Sequence, residues 1–406
     1  MRVEYDVIIV GGGAAGFFTA INLAEHTPEL RIAILERGKD VLSKVRVSGG
    51  GRCNVTHSEF IPNELTKNYP RGEKELKGPF HTFMTGDTMD WFDRRGVALK
   101  IEEDGRIFPV SDSSETIINC FLSETKRLGI KILTGHAVKH FDQIGEGWTI
   151  ETSQGTFTAT KLMIATGSNP KIWKILQDLG HKTIAAVPSL FTFNIKDSRI
   201  KALPGVVTNA SVQVKNSKLS SEGPLLITHW GMSGPAILKL SAWGAIELNK
   251  NEYNFEIIVN WLQHYTQEEV LEMLKELKNQ YPKQQLYTYA QFDLPKRLWQ
   301  SLVLASGIQS DTRWADANKV QFRTLSEQLT RGIFKVNGKS TFKEEFVTAG
   351  GIDLKEVNFK TYESKKYQNL YFAGEVLNID AITGGFNFQN AWTGAFIAAK
   401  AIASKE

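Results

Sequence analysis

Cysteine is close to absent from this chain: Cys53 and Cys120 are the only two in 406 residues. They stand far apart and form no C-x-x-C pair, so neither a disulfide framework nor a zinc site is indicated, and no metal is expected. Such sparing use fits a reducing compartment, and a cytoplasmic location is expected. A strong charge of one sign is also missing, with 48 Lys and Arg against 44 Asp and Glu. The formal excess of +4 is thinly spread, and no long basic run accompanies the isolated pair Lys365-Lys366. On that count no nucleic-acid partner is expected. Long apolar runs are lacking too. Glu4 and Asp6 interrupt the first apolar residues, and Val7-Ile8-Ile9-Val10 is too short for the core of a secretory leader. The uncharged stretch Ala381 to Ala399 holds Thr383, Gly384, Gly385, Asn387, Gln389 and Asn390, polar groups that hydrocarbon would leave unsatisfied. No membrane span is therefore expected. What remains is an ordinary globular composition, 42% apolar and 23% charged, in a chain long enough for two domains.

The first distinctive stretch is Val7-Ile8-Ile9-Val10, a β-branched run that reads as a buried parallel strand. Gly11-Gly12-Gly13-Ala14-Ala15-Gly16 follows at once, and Gly11, Gly13 and Gly16 satisfy G-x-G-x-x-G. The first glycine permits a tight turn, the second admits a pyrophosphate to the backbone, and the third lets the next helix pack on the strand. That helix is expected from Ala14 toward Glu25, its N-terminal N–H groups facing phosphate. A second strand, Arg31 to Leu35, ends in Glu36, about twenty positions after Gly16, where an acid accepts from a ribose hydroxyl. The register of strand, turn, helix, strand and acid indicates a dinucleotide, without separating FAD from NAD.

Ser48-Gly49-Gly50-Gly51-Arg52-Cys53-Asn54 is the second glycine cluster. Consecutive glycines expose backbone N–H groups to a ligand, and the Arg52 fork suits phosphate. With Gly11 to Gly16, Glu36-Arg37, Lys44, Ala165-Thr166-Gly167, Thr228-His229-x-Gly231-x-Ser233-Gly234-Pro235, Thr348 to Gly351, and Phe372-Ala373-Gly374-Glu375 through Gly384-Gly385-Phe386-Asn387-Phe388-Gln389, it falls in an order that resembles the BaiN-like, aminoacetone-oxidase-like family of FAD-dependent oxidoreductases. The resemblance spans nearly the whole chain. It implies an α/β fold: a discontinuous, Rossmann-like FAD domain of the two-dinucleotide-binding type, with an inserted β-rich and helical domain. It implies non-covalent FAD, and activities such as aminoketone oxidation or enone-type steroid reduction. Backbone near Ala137-Val138 contacts adenine in similar flavoproteins, and the Ala165-Thr166-Gly167 turn approaches the FAD. In FAD proteins the acid of such a pair accepts from the ribityl chain, and Gly374-Glu375 is expected to do so. The loop opening the last helix, with Asn387, Phe388 and Gln389, is expected at the flavin, where its positive dipole end would stabilise anionic reduced flavin.

The expected boundaries are 1–190 with 347–406 for the FAD domain and 191–346 for the insert, β-barrel-like at first and helical over about 265–335. Strands are expected at Leu190–Ile195, Val206–Val214 and Phe255–Val259, and helices at Phe292–Leu304 and Val320–Leu329. Trp148–Thr152 with Thr156–Ala159 reads as a hairpin, and Leu162–Ile164 as a separate strand. Asp112 with Glu115, and Thr266 with Glu269, read as helix capping boxes. After Gly167, Pro170 and Trp173 leave no second glycine fingerprint, so NAD(P)H is expected only as a transient electron donor. The leading reading is an FAD-dependent oxidoreductase that transfers hydride to or from a small organic substrate. A non-catalytic flavin sensor or assembly factor and a nucleic-acid-modifying flavoprotein stand as alternatives. His229, on a loop stiffened by Gly231, Gly234 and Pro235, is the candidate acid or base, with Thr228 beside it. A bracing hydrogen bond from His229 is the alternative. Lys44 is placed near the flavin or on the surface, and Cys53, lacking a resolving partner, reads as structural.

Overall fold

The computed structural model describes residues 4–340 and 347–404. The chain divides into two compact units, residues 1–187 with 343–406, and residues 188–342. In the first unit, β1 (Tyr5–Val10), α1 (Ala14–His26) and β2 (Ile32–Leu35) form the expected strand–helix–strand. Both strands are apolar on each face, and Val7 to Val10 and Ile32 to Leu35 are buried throughout. Such strands need cover on both faces, which a parallel sheet with flanking helices supplies. The sheet runs, in order, Leu370–Phe372, Gly155–Ile164, β1, β2 and Lys131–Leu133, all parallel. Val10 pairs with Ile164, and Ile164 pairs with Phe372, so three strands end together.

Gly155–Ile164 differs from the expected pair of short strands. It is one ten-residue strand, paired antiparallel with Gly147–Thr152 at its start and parallel with β1 along most of its length. The residues between, Ala159 to Lys161, alternate well enough for either ladder, which hid the continuity. Another expectation fails at Asp112. The cap of the Ser114–Arg127 helix is Ser113, whose hydroxyl accepts from the Glu115 N–H at 3.3 Å. Asp112 has φ +52 and gives its carboxylate to Lys100 and Arg52, charged donors that outcompete a backbone N–H.

Helix α1 and the C-terminal helix Phe386–Ala403 lie against each other. Trp392 is fully buried among the rings of Phe18, Phe92 and Phe121, is stacked on Phe388 at 5.4 Å, and donates its indole N–H to the Val55 carbonyl at 2.9 Å.

The second unit is an antiparallel seven-stranded sheet in the order Gly332–Asn337, Asn254–Asn260, Val207–Val214, Ser220–Ile227, Gly231–Ser233, Thr192–Asn194, Lys339–Ser340. Its first and last strands are joined through Gly338 alone, so the sheet is rolled round on itself. The Thr266–Glu269 box caps Gln267–Gln280 as expected. The next helix begins at Lys296 instead of Phe292, because Phe292 and Asp293 hold φ +58 and +55 and Pro295 sets the start. The helix Lys319–Thr330 completes the set, and Trp261, Trp299 and Trp314 are at most 2% exposed, which places them in the core.

Trp392→Ala should destabilise the first unit by about 3–5 kcal/mol, the range for emptying a buried large aromatic site. Chemical denaturation of the wild type and variant checks it; a change under about 1 kcal/mol would show the aromatic cluster to be peripheral.

Candidate cofactor and active site

The carboxyl ends of β1, Gly155–Ile164 and Leu370–Phe372 lead into Gly11–Gly16, Ala165-Thr166-Gly167 and Gly374-Glu375 respectively. In an open parallel sheet, ligands bind at such strand ends. Gly16 is dictated by packing: a Cβ there would stand 2.0 Å from the Gly11 carbonyl oxygen. Ala165 is locked to the same turn, its N–H donating to the Val10 carbonyl at 2.8 Å. Gly13 is different, since a Cβ there meets nothing within 4 Å. Gly13 is also the N-cap of α1, which has no side-chain cap and no acid in its first turn. A helix N-terminus left open over a bare glycine fits a pyrophosphate. By contrast, the Pro170–Asp178 helix has its N-terminus closed by Asn169, which accepts from the Lys171 N–H at 3.1 Å, and Trp173 is buried with its N–H on the Val376 carbonyl.

Glu36 accepts from the N–H groups of Gly12 at 2.9 Å and Gly38 at 2.7 Å, which aims its carboxylate at the turn. Two oxygens offer about four acceptor positions, so capacity for ribose hydroxyls remains. Arg37 is exposed beside it, and Val138 opens the strand Val138–Ile144. Lys44 reaches Glu375 at 2.6 Å, joining the residue ahead of the second glycine cluster to the acid after the third strand. A Cβ on Gly167 would lie 3.5 Å from the same Glu375 carboxylate.

In the second cluster Ser48 donates to the Val45 carbonyl at 2.9 Å. Gly49, Gly50 and Gly51 follow with φ of +58, +68 and +84, a left-handed run that only glycine adopts cheaply. Arg52, expected as a phosphate fork, has carboxylate partners in the structure. Its guanidinium pairs with Glu102 at 2.6 Å and Asp112 at 3.3 Å and lies 3.8 Å over the Phe108 ring. In this arrangement it braces the loop against Glu102 and Asp112. Cys53 is fully buried, and burial pushes its thiol up to about 12, which removes it as a nucleophile.

Asn54, with its amide turned to satisfy both ends, accepts from the Gly385 N–H at 3.0 Å and donates to the Thr56 carbonyl at 2.9 Å. It ties the second cluster to the N-cap of the last helix. Asn387 closes the same loop by accepting from the Ala381 N–H at 3.0 Å. Gln389 is fully buried; its carbonyl accepts from Thr56 at 2.6 Å and Thr88 at 2.9 Å, and its amide donates to Thr393 at 3.1 Å. Those partners occupy both ends of the side chain, so Gln389 sets the helix where a flavin contact was expected of it. Phe388 carries its ring onto Trp392. The helix these residues hold also lacks a side-chain cap and an acid in its first turn.

Sequence reasoning passed over His57 and the pair Arg71–Asp380. Asp380 is fully buried and takes both guanidinium arms of Arg71, fixing the segment between Glu375 and Gly384. The His57 ring lies 4.5 Å from the Phe386 ring, and its Nδ1 is 3.1 Å from the Gly384 carbonyl. The signal for His57 was proximity, three residues past Asn54, but a lone histidine in a polar run carries no pattern. In the second unit, Thr228 accepts from the Gly231 N–H at 3.1 Å, so Thr228 braces the turn. His229 is exposed and its ring makes no hydrogen bond among the described residues, which removes the bracing role expected as its alternative.

Residues 5–401 match the family described as HI0933-like protein Rossmann domain. The chain belongs to this family. Over 97% of its length it is 30% identical to the ribosomal RNA dihydrouridine synthase of Haemophilus influenzae, covering 98% of that protein. It is 29% identical to the protein of the same name from Escherichia coli, with 98% of each covered. It is 25% identical to the 3-dehydro-bile acid delta(4,6)-reductase of Clostridium scindens, again with 98% of each covered. This member of the family is an FAD-dependent oxidoreductase, and the open helix ends and strand-end loops of the first unit are where its residues fit the cofactor. Among the described residues no helix is long and apolar enough to cross a membrane.

Two outcomes follow. Glu36→Ala should weaken FAD binding by about 1.5–3 kcal/mol, or roughly 10- to 100-fold, in a fluorescence titration of the stripped protein; an unchanged Kd would remove Glu36 from the site. His57 has its pKa lowered by burial, with the Gly384 carbonyl and the charges of Asp104 and Glu59 opposing and Arg106 assisting. The fold then binds fewer protons than the unfolded chain, so this stability is complete above about pH 6.5 and is lost as pH falls below it. The thermal midpoint should drop from about pH 6.5 to 5, and less steeply in His57→Phe. Equal slopes in the two proteins would show that neutral His57 contributes nothing.

Proposed function

We propose that this oxidoreductase reduces a carbon–carbon double bond conjugated to a carbonyl, and that its substrate is a uracil base of ribosomal RNA. The observation that carries the reading is the similarity, over nearly the whole chain, to two proteins named as ribosomal RNA dihydrouridine synthases. Dihydrouridine is uridine with two hydrogens added across a double bond conjugated to a ring carbonyl. A bile acid delta(4,6)-reductase acts on the same kind of bond, which favours reduction over amine oxidation for the family chemistry.

The charge distribution supports the macromolecular substrate. The second unit carries eighteen Lys and Arg against thirteen Asp and Glu, and the first unit thirty against thirty-one. The whole basic excess therefore lies in the insert, a bias that the whole-chain count averages away. FAD, when bound, supplies the hydride chemistry. The double bond gains two electrons and two protons, and a reduced nicotinamide that visits without a dedicated glycine fingerprint supplies the electrons. His229, exposed and unbonded on the turn that Thr228 fixes, is our candidate for delivering a proton. Lys44 and Glu375, joined by an ion pair, are our candidates for holding the ribityl end of the cofactor.

The test is reduction of the bound flavin under anaerobic conditions, followed by mixing with unmodified ribosomal RNA. Flavin reoxidation with gain of two hydrogens on a uridine, seen by nucleoside mass spectrometry, is expected. Reoxidation by a conjugated steroid ketone and not by RNA would overturn the RNA substrate. Flavin reduction by an aminoketone, with oxygen as the acceptor, would overturn the reductase reading.

A further inference from the structure

We propose that Trp230 is a stacking platform for a nucleobase of the RNA. The proposal rests on the preceding substrate reading and adds a contact to it. Seven of the nine tryptophans are at most 6% exposed, whereas Trp230 is 52% exposed. An indole left in water is costly to a protein that has buried most of the others.

The turn that carries the exposed ring is held rigidly. Trp230 is at the tip of the turn from Thr228 to Gly231. The Thr228 N–H donates to the Gly231 carbonyl at 2.8 Å, and the Gly231 N–H to the Thr228 hydroxyl at 3.1 Å. The Trp230 carbonyl itself accepts from the Ile195 N–H at 2.8 Å. Gly231 is pressed so closely onto the neighbouring strand that a Cβ would stand 2.1 Å from the Phe193 carbonyl oxygen. The turn cannot shift to bury the ring without breaking these bonds, so the backbone that presents the indole is preorganised. The His229 ring lies beside it at 6.1 Å between centroids.

The charge around the turn indicates the partner. Lys196 follows Ile195 directly, is exposed, and has no ion pair among the described residues. It belongs to the unit that carries the basic excess. A flat π-surface next to an unpaired cation matches a base attached to a phosphate, the combination that single-stranded RNA presents.

The experiment measures binding of a fluorescently labelled, uridine-containing oligoribonucleotide to the FAD-loaded protein across a salt series, by anisotropy. Trp230→Ala should weaken binding on the order of tenfold while the slope of log K against log salt stays unchanged, because stacking releases no counterions. Trp230→Phe should recover most of the loss. Lys196→Ala should instead reduce the slope by about one. FAD content and circular dichroism establish that each variant is folded. If the wild type binds no RNA, the substrate reading fails and takes the platform with it. If the wild type binds and Trp230→Ala binds equally well, the platform alone is wrong. A wild-type dimer that Trp230→Ala converts to a monomer, with RNA affinity unchanged, would overturn the platform by assigning the ring to a second copy of this chain.

Discussion

The contact of α1 with the turn that precedes it governs the first unit. Gly16 lies against the Gly11 carbonyl with no room for a Cβ. That closeness lets the helix start directly above the strand end, with its N-terminus open over Gly13. A bulkier residue at Gly16 would lift the helix, and the uncapped N–H groups would no longer converge on the point where the neighbouring strands end. The carboxylate of Glu36 is set by the same geometry, because its partner Gly12 belongs to the turn. Cofactor geometry in this protein is thus a consequence of helix–strand packing.

Around that contact the structure ties loops far apart in sequence with polar side chains, most of them buried. Asn54 holds Gly385, Gln389 holds Thr56 and Thr88, Lys44 holds Glu375, and Arg71 holds Asp380. Each pair joins the first hundred residues to the last forty. Buried amides of this kind are costly unless every donor and acceptor is used, so such ties favour one arrangement over its neighbours. Arg52 and Gln389, both within motifs that suggested cofactor contact, also have protein partners of this kind.

The sequence disclosed the strand–turn–helix–strand opening because periodicity, glycine spacing and Glu36 all refer to residues close along the chain. It disclosed the Thr266–Glu269 cap for the same reason. It was silent on His57, on Arg71–Asp380 and on the carboxylate partners of Arg52, since each depends on partners brought near only by folding. The failed Asp112 cap shows the same limit: a local rule was correct in form and lost to Lys100 and Arg52 across the strand. The charge total was uninformative in another way, since its small value averages a basic second unit with a nearly neutral first.

The strand Gly155–Ile164 has a consequence for synthesis. Its parallel partner Leu370–Phe372 is made roughly two hundred residues later, which at ribosomal rates takes on the order of 10–40 s. For that interval the growing first unit presents an unpaired apolar edge, and the insert is completed before the edge is covered. Nascent chains should therefore depend on chaperones more than the finished protein does, and a truncation before Leu370 would leave a unit prone to aggregate through that edge.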